Sequence, residues 1–274
     1  MILCSPAYAG LTTCAGSYAL GNSNPNDLVP PGGSSAGCEQ VDKQFSTFGY
    51  TPGGTNPTAG SGVAVNFAGT NPLSAIGVEF GGSNTWSVNS PLASTTAVGT
   101  YDVLVDPAFS NSITSMTLSA NATFGTPTVG TDNITLFEYF CAGGAAACAG
   151  GGAATGGINL SSPTAGYLEF IDDGNGFGSG SNQFVCFNNG GSSCTASTNN
   201  TVNFKTSIYT AGFTDIFIAN NISVSSTSGV QVSLNNFTEN YFESLDAPEP
   251  STFILMGSAL AAVAALRLRK RKRA

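Results

Sequence analysis

The chain has 274 residues, with 35 Gly, 13 Pro, seven Cys and no His, and 9% of its residues are charged against 41% hydrophobic. The average apolar fraction excludes wholesale disorder, and the scarcity of charge excludes a coiled coil. Without His, the usual base of nucleophilic triads and the commonest zinc ligand are missing.

The formal charge of −8 conceals two regions of opposite sign. Arg267, Arg269, Lys270, Arg271, Lys272 and Arg273 crowd the last eight positions, whereas Gly10–Ala247 carries two cations and fifteen acids, a formal charge of −13. Such an acidic body repels phosphate backbones, which excludes nucleic acid as a partner.

At the N-terminus, Ala7 and Ala9 supply the small residues of a signal-peptidase site, with a mature start at Gly10. There is no basic region before them and the apolar run is short, so residues 1–9 read as the remnant of a truncated signal peptide.

Six cysteines follow: Cys14, Cys38, Cys141, Cys148, Cys186 and Cys194. An even number on an exported chain implies disulfides. Six thiols allow 15 connectivities, and spacing points to sequence neighbours: Cys14–Cys38, Cys141–Cys148 and Cys186–Cys194. Each such bridge is worth about 2.5–3.5 kcal/mol by loop entropy. The rival zinc reading lacks both CxxC spacing and His.

Residues 10–246 show no sustained helical period. Short alternating runs stand between Gly, Pro, Asn and Ser instead. The clearest are Val63-Val65-Phe67, Met116-Leu118-Ala120-Ala122-Phe124 and Val230-Val232-Leu234. Others are 75–80, 101–105, 133–140, 167–171, 183–187, 202–209, 214–219 and 222–225. These make about eleven strands, each with one dry and one wet face, and predict a single all-β, antiparallel, jelly-roll-like sandwich. An early strand in 38–48 is expected to turn Phe45 inward and to lay the Lys43 stem over the sheet edge.

Within that body, chemistry is sparse. A Ser-Lys nucleophile lacks a local motif, and no Gly-rich phosphate loop follows a strand. Glycoside hydrolysis needs only two facing carboxylates and stays open as a minor alternative. In Ile171-Asp172-Asp173-Gly174-Asn175, the oxygens of Asp172, Asp173 and Asn175 suit Ca²⁺, the one cofactor these residues allow. A polar hairpin turn is the blander account. Trp86, the single Trp, is either an exposed platform for sugar or, with Val88 two residues on, a core residue.

The chain closes with Ala247-Pro248-Glu249-Pro250, then fifteen uncharged residues from Thr252 to Leu266, then the basic cluster of 267–274. The prolines prevent the helix from extending backward. Fifteen residues span about 22 Å, and snorkelling Arg267 and Arg269 lengthen the apolar reach. Cations on one side predict a transmembrane helix over 252–266 with its C-terminus in the cytoplasm and the acidic body across the membrane.

The order Pro248-Glu249-Pro250, apolar helix and basic cluster resembles the PEP-CTERM sorting signal of bacterial exported proteins, over residues 247–274. Cys38-Glu39-Gln40-Val41-Asp42-Lys43-Gln44-Phe45-Ser46-Thr47-Phe48 is similar to an early segment of many proteins that carry this signal. The resemblance implies exosortase and the export machinery as partners, and a membrane anchor that is removed on processing. It also implies a β-sandwich delivered to the cell surface or extracellular matrix. The expected role is structural and non-catalytic. A carbohydrate-binding or adhesion module, calcium-dependent or not, is the alternative, since a Ser/Thr/Asn-rich surface hydrogen-bonds polysaccharide at small desolvation cost.

Overall fold

Alternating short runs bury one face each, and two such sheets close on one another. The computed structural model describes residues 13–14, 17–21, 28, 37–69, 75–107, 109, 111–125, 132–172, 182–187, 195–197, 201–204, 209 and 212–245. In chain order the strands are β1 (Ser17–Ala19), β2 (Cys38–Gln40), β3 (Lys43–Gly54), β4 (Ala64–Ala68), β5 (Ile76–Val88), β6 (Ala93–Val105) and β7 (Asn111–Phe124). They continue with β8 (Asn133–Ala142), β9 (Ala165–Asp172), β10 (Asn182–Phe187), β11 (Thr195–Ser197), β12 (Thr201–Asn203), β13 (Asp215–Ser226) and β14 (Val232–Leu245).

Two antiparallel sheets result. One has six strands in the order β1-β4-β5-β14-β7-β12, and the other eight in the order β11-β10-β9-β8-β13-β6-β3-β2. The expected all-β, two-sheet architecture is present. The strands are longer than the alternation alone marked. The runs 214–219 and 222–225 are one strand, β13, paired along its length with β6. The run 75–80 continues through Trp86 to Val88. Of 202–209, Val202 and Asn203 belong to β12, which begins at Thr201, and 205–208 lie outside the described residues.

The alternation is broken by bulges, which hide strand length from a period-two reading. In β3 the register slips between Ser46 and Gly49, where Thr47 takes φ +56°. That slip turns both Phe45 and Phe48 inward although three positions separate them. A second slip, between Leu234 and Asn236, does the same for Leu234 and Phe237 in β14.

Between the sheets lies one continuous core. Val103, Ile134, Leu136, Phe140, Ile216, Ile218, Ile222 and Val224 of the eight-stranded sheet meet Ile76, Val78, Phe80, Trp86, Met116, Leu234 and Phe237 of the six-stranded one. Phe80 stacks on Phe237 at 5.1 Å between ring centroids, and Phe45 reaches Tyr241 across the sandwich at 6.2 Å.

Lys43 corrects an expectation. Its stem does not lie over the sheet edge; the whole side chain is buried. Its Nζ lies 2.6 Å from Glu243 Oε1 and 3.3 Å from Asp42 Oδ1, while Asn111 Nδ2 donates to Asp42 Oδ2 at 2.9 Å. An ammonium is buried only when paired, and here β3 supplies the cation and β14 one of its two anions.

Two of the expected bridges, Cys14–Cys38 and Cys141–Cys148, are present, with Cα atoms 5.0 and 5.8 Å apart. Cys186 is buried and disulfide-bonded, and Cys194 lies outside the described residues. The chain divides into two units, 1–244 and 245–274.

Candidate functional site

Loop 143–164, between β8 and β9, folds back onto the outer face of the eight-stranded sheet. The Cys141–Cys148 bridge holds its first turn, and Asn159 N–H donates to the Cys148 carbonyl at 2.7 Å. Beneath it a small second core forms from Cys141, Cys148, Ile158, Ala165 and Ala219, with Tyr139, Leu160 and Phe217 packed alongside. Gly156, at φ +59°, lies so close to the sheet that a Cβ there would overlap Ala219 Cβ. Asn221 Nδ2 ties the loop down by donating to the Ala154 carbonyl at 3.0 Å.

The loop is thereby the wall of a groove of about 550 Å³. Its floor is the outward face of β3, β6 and β13, including Thr51, Thr96, Val98, Thr100 and Asn221, and no residue lining it is charged. Gly49 and Gly53 carry no side chain over the Thr100 and Thr96 hydroxyls, which keeps the floor open. The Tyr50 hydroxyl donates to the Thr58 carbonyl at 2.9 Å and accepts from Trp86 Nε1–H at 3.2 Å. Trp86 is therefore a core residue, not a platform. Burial pushes the Tyr50 hydroxyl above its ordinary pKa, against the Trp86 bond that lowers it.

Strand register carries the floor sideways. Thr51 pairs with Val98, Val98 with Asn221, Asn221 with Phe137 and Phe137 with Glu169, so one outward row crosses five strands. Phe137 stacks on Tyr139 at 5.5 Å, and Tyr167 meets both edge-on at 5.9 and 6.3 Å. All three rings are half-buried on the outer face. Burial raises the Tyr139 and Tyr167 hydroxyls above their ordinary range, and the Glu169 charge adds to it.

On the loop's other side is a hollow of about 310 Å³ that holds Asp102 and Asp215 beside Gly143–Ala146. Burial raises both carboxyls; the Asp102 charge pushes Asp215 further, and a Thr47 hydrogen bond draws Asp102 back. These acids are diagonal neighbours on one sheet face and do not oppose one another across a cleft.

A second pair of acids lies where the sequence gives no sign of it. Glu138 of β8 and Glu239 of β14 are wholly buried between the sheets. Asn220 Nδ2 donates to Glu239 Oε1 at 2.6 Å, and the Tyr241 hydroxyl donates to Glu239 Oε2 at 3.1 Å and accepts from Tyr101. Neither Glu138 oxygen has a hydrogen-bond partner among the described residues. Burial lifts both carboxyls far above the usual range, with the Tyr241 bond drawing Glu239 back in part. Burial thus favours the neutral, protonated form of each. The adjoining cavity, about 10 Å³, holds at most a single water.

Of the sequence-predicted site residues, Asp172 is buried at the end of β9, while Asp173 and Asn175 lie outside the described residues. β9 and β10 pair antiparallel, with Ile171 opposite Asn182. Among the described residues, no three His, Cys, Asp or Glu side chains gather as metal ligands. No helix among them is long and apolar enough to cross a membrane. Ala7, Ala9, Pro248, Glu249, Pro250, the 252–266 segment and the basic residues from Arg267 to Arg273 lie outside the described residues.

No curated protein matches the chain. A family profile does: residues 246–271 match the PEP-CTERM protein-sorting motif. The matched span includes the Pro-Glu-Pro tripeptide, the apolar run and most of the cations. Export, anchoring in the membrane before processing, and processing by exosortase follow from that motif. The chain thus carries a PEP-CTERM sorting motif behind its two antiparallel sheets, which marks it as an exosortase substrate.

Proposed function

We propose that the chain is a structural, non-catalytic component of the cell surface or extracellular matrix, released from its membrane anchor at the Pro248-Glu249-Pro250 region. The sorting motif carries this reading. The body supports it: among the described residues, Glu138 and Glu239 are sealed in the core, and the accessible Asp102 and Asp215 sit side by side on one face. Disulfide-stapled loops around a long-stranded sandwich suit a protein that must persist outside the cell. The return of β13 and β14 to interior positions in the two sheets supports a jelly-roll-like winding.

Mass spectrometry of both termini tests the assignment in a bacterium with exosortase and in the same strain lacking it. The product of the first strain is expected to lack the apolar and basic segments and to appear outside the cell with its thiols oxidised. A P248A/E249A/P250A variant is expected to keep its tail and stay with the membrane. An intact, reduced chain in the cytosol of the exosortase-bearing strain overturns the proposal.

A further inference from the structure

We infer that the outer groove and the adjoining aromatic shelf form one binding face for a neutral polysaccharide. The inference rests on the protein working outside the cell, and it assigns that protein a ligand. The groove's volume, about 550 Å³, is that of a ligand site. Its floor offers the side-chain hydroxyls of Thr51, Thr96 and Thr100 and no charge. Hydroxyls and neutral amides exchange hydrogen bonds with sugar hydroxyls without the desolvation cost of an ion.

The shelf supplies what the groove lacks. Phe137, Tyr139 and Tyr167 stand on the same sheet face, and Phe137 is the register neighbour of Asn221 at the groove's edge. Half-exposed ring faces of this kind take up the C–H faces of pyranose rings. Asn221, whose amide holds the loop at Ala154, stands between the two, so an extended chain that passes beside the loop meets polar groups on one side of it and rings on the other. Charge selects the class of polysaccharide. The body is formally −13 between Gly10 and Ala247, and Glu169 closes the row beside Phe137, so an acidic polysaccharide is repelled where a neutral one is not.

Affinity electrophoresis of the detergent-purified full chain through gels containing dextran, galactomannan, hydroxyethylcellulose or alginate tests this. Retardation by at least one of the three neutral polymers and none by alginate is expected. The F137S/Y167S variant should bind about tenfold more weakly per ring lost, with its thermal midpoint unchanged because both rings are outside the sandwich core. A T51V/T96V pair, which leaves the rings intact, should weaken binding independently. Three results overturn the inference: free migration in all neutral gels, equal retardation by alginate, or retardation that both variant pairs leave unchanged. The gel reads binding wherever the chain is delivered, so its failure leaves the sorting assignment standing, and failed sorting leaves the gel readable.

Discussion

Lys43 is the one cation among the described residues, and it is spent between two anions in the interior. Removing it strands Asp42 and Glu243 without a counter-charge, so Lys43→Ala should cost about 3–5 kcal/mol in urea unfolding with the disulfides intact. A loss under 1 kcal/mol refutes the pairing. Glu243 itself is raised to about 7, first by burial and then by Asp42, against the opposing pull of Lys43.

Protonated acids in the folded state give the pH dependence its sign. Glu138, Glu239 and Glu243 all bind protons more tightly folded than unfolded. The stability they contribute is full below the ordinary Glu pKa of about 4.5 and declines as pH rises, through about 7 for Glu243. Each group adds at most about 1.4 kcal/mol per pH unit to that decline. Between pH 5 and 7 the decline should be shallower in Glu243→Gln; an identical slope in the variant contradicts the assignment. Asp132 runs the other way. Burial pushes it up, but the Ser228 hydroxyl and the Thr227 and Ser228 amides outweigh that and hold it below its usual value.

At the scale of elements, legibility followed periodicity. Val63, Val65, Met116, Leu118, Val232 and Leu234 announced buried faces through strict alternation, and each is buried. Phe45 with Phe48, and Leu234 with Phe237, break the phase, because a bulge is a feature of paired backbones that no single strand displays. The groove is less legible still. Its floor joins β3, β6 and β13, which are far apart in sequence, and its wall is an Ala/Gly-rich loop that resembles a linker. Rarity alone would make Trp86 a sugar platform, whereas its alternation with Val88 points to the core, where both lie; the rings that face outward are Phe and Tyr residues, which are common here. Gly156 is where loop and sheet touch. Gly156→Val should lift the wall from Ala219, seen as faster amide exchange across 153–158 with the global midpoint lowered by no more than a few degrees. Unchanged exchange there argues against a close-packed wall.

For the whole molecule, the sequence located the sorting tag and the fold class but not the interior chemistry. The tag is a linear signal, readable without folding, whereas Glu138 and Glu239 come to share the interior only because β8 and β14 belong to opposing sheets. The order of assembly has its own consequence. β14 occupies an interior position in the six-stranded sheet, bridging β5 and β7, and ends at Leu245, one residue before the sorting motif begins. Until that final strand has crossed the membrane, β5 and β7 have nothing between them, and their exposed edges are hazards for aggregation. The passenger thus completes its architecture only as its own address label arrives at the bilayer, so maturation and delivery are timed by the same stretch of polypeptide.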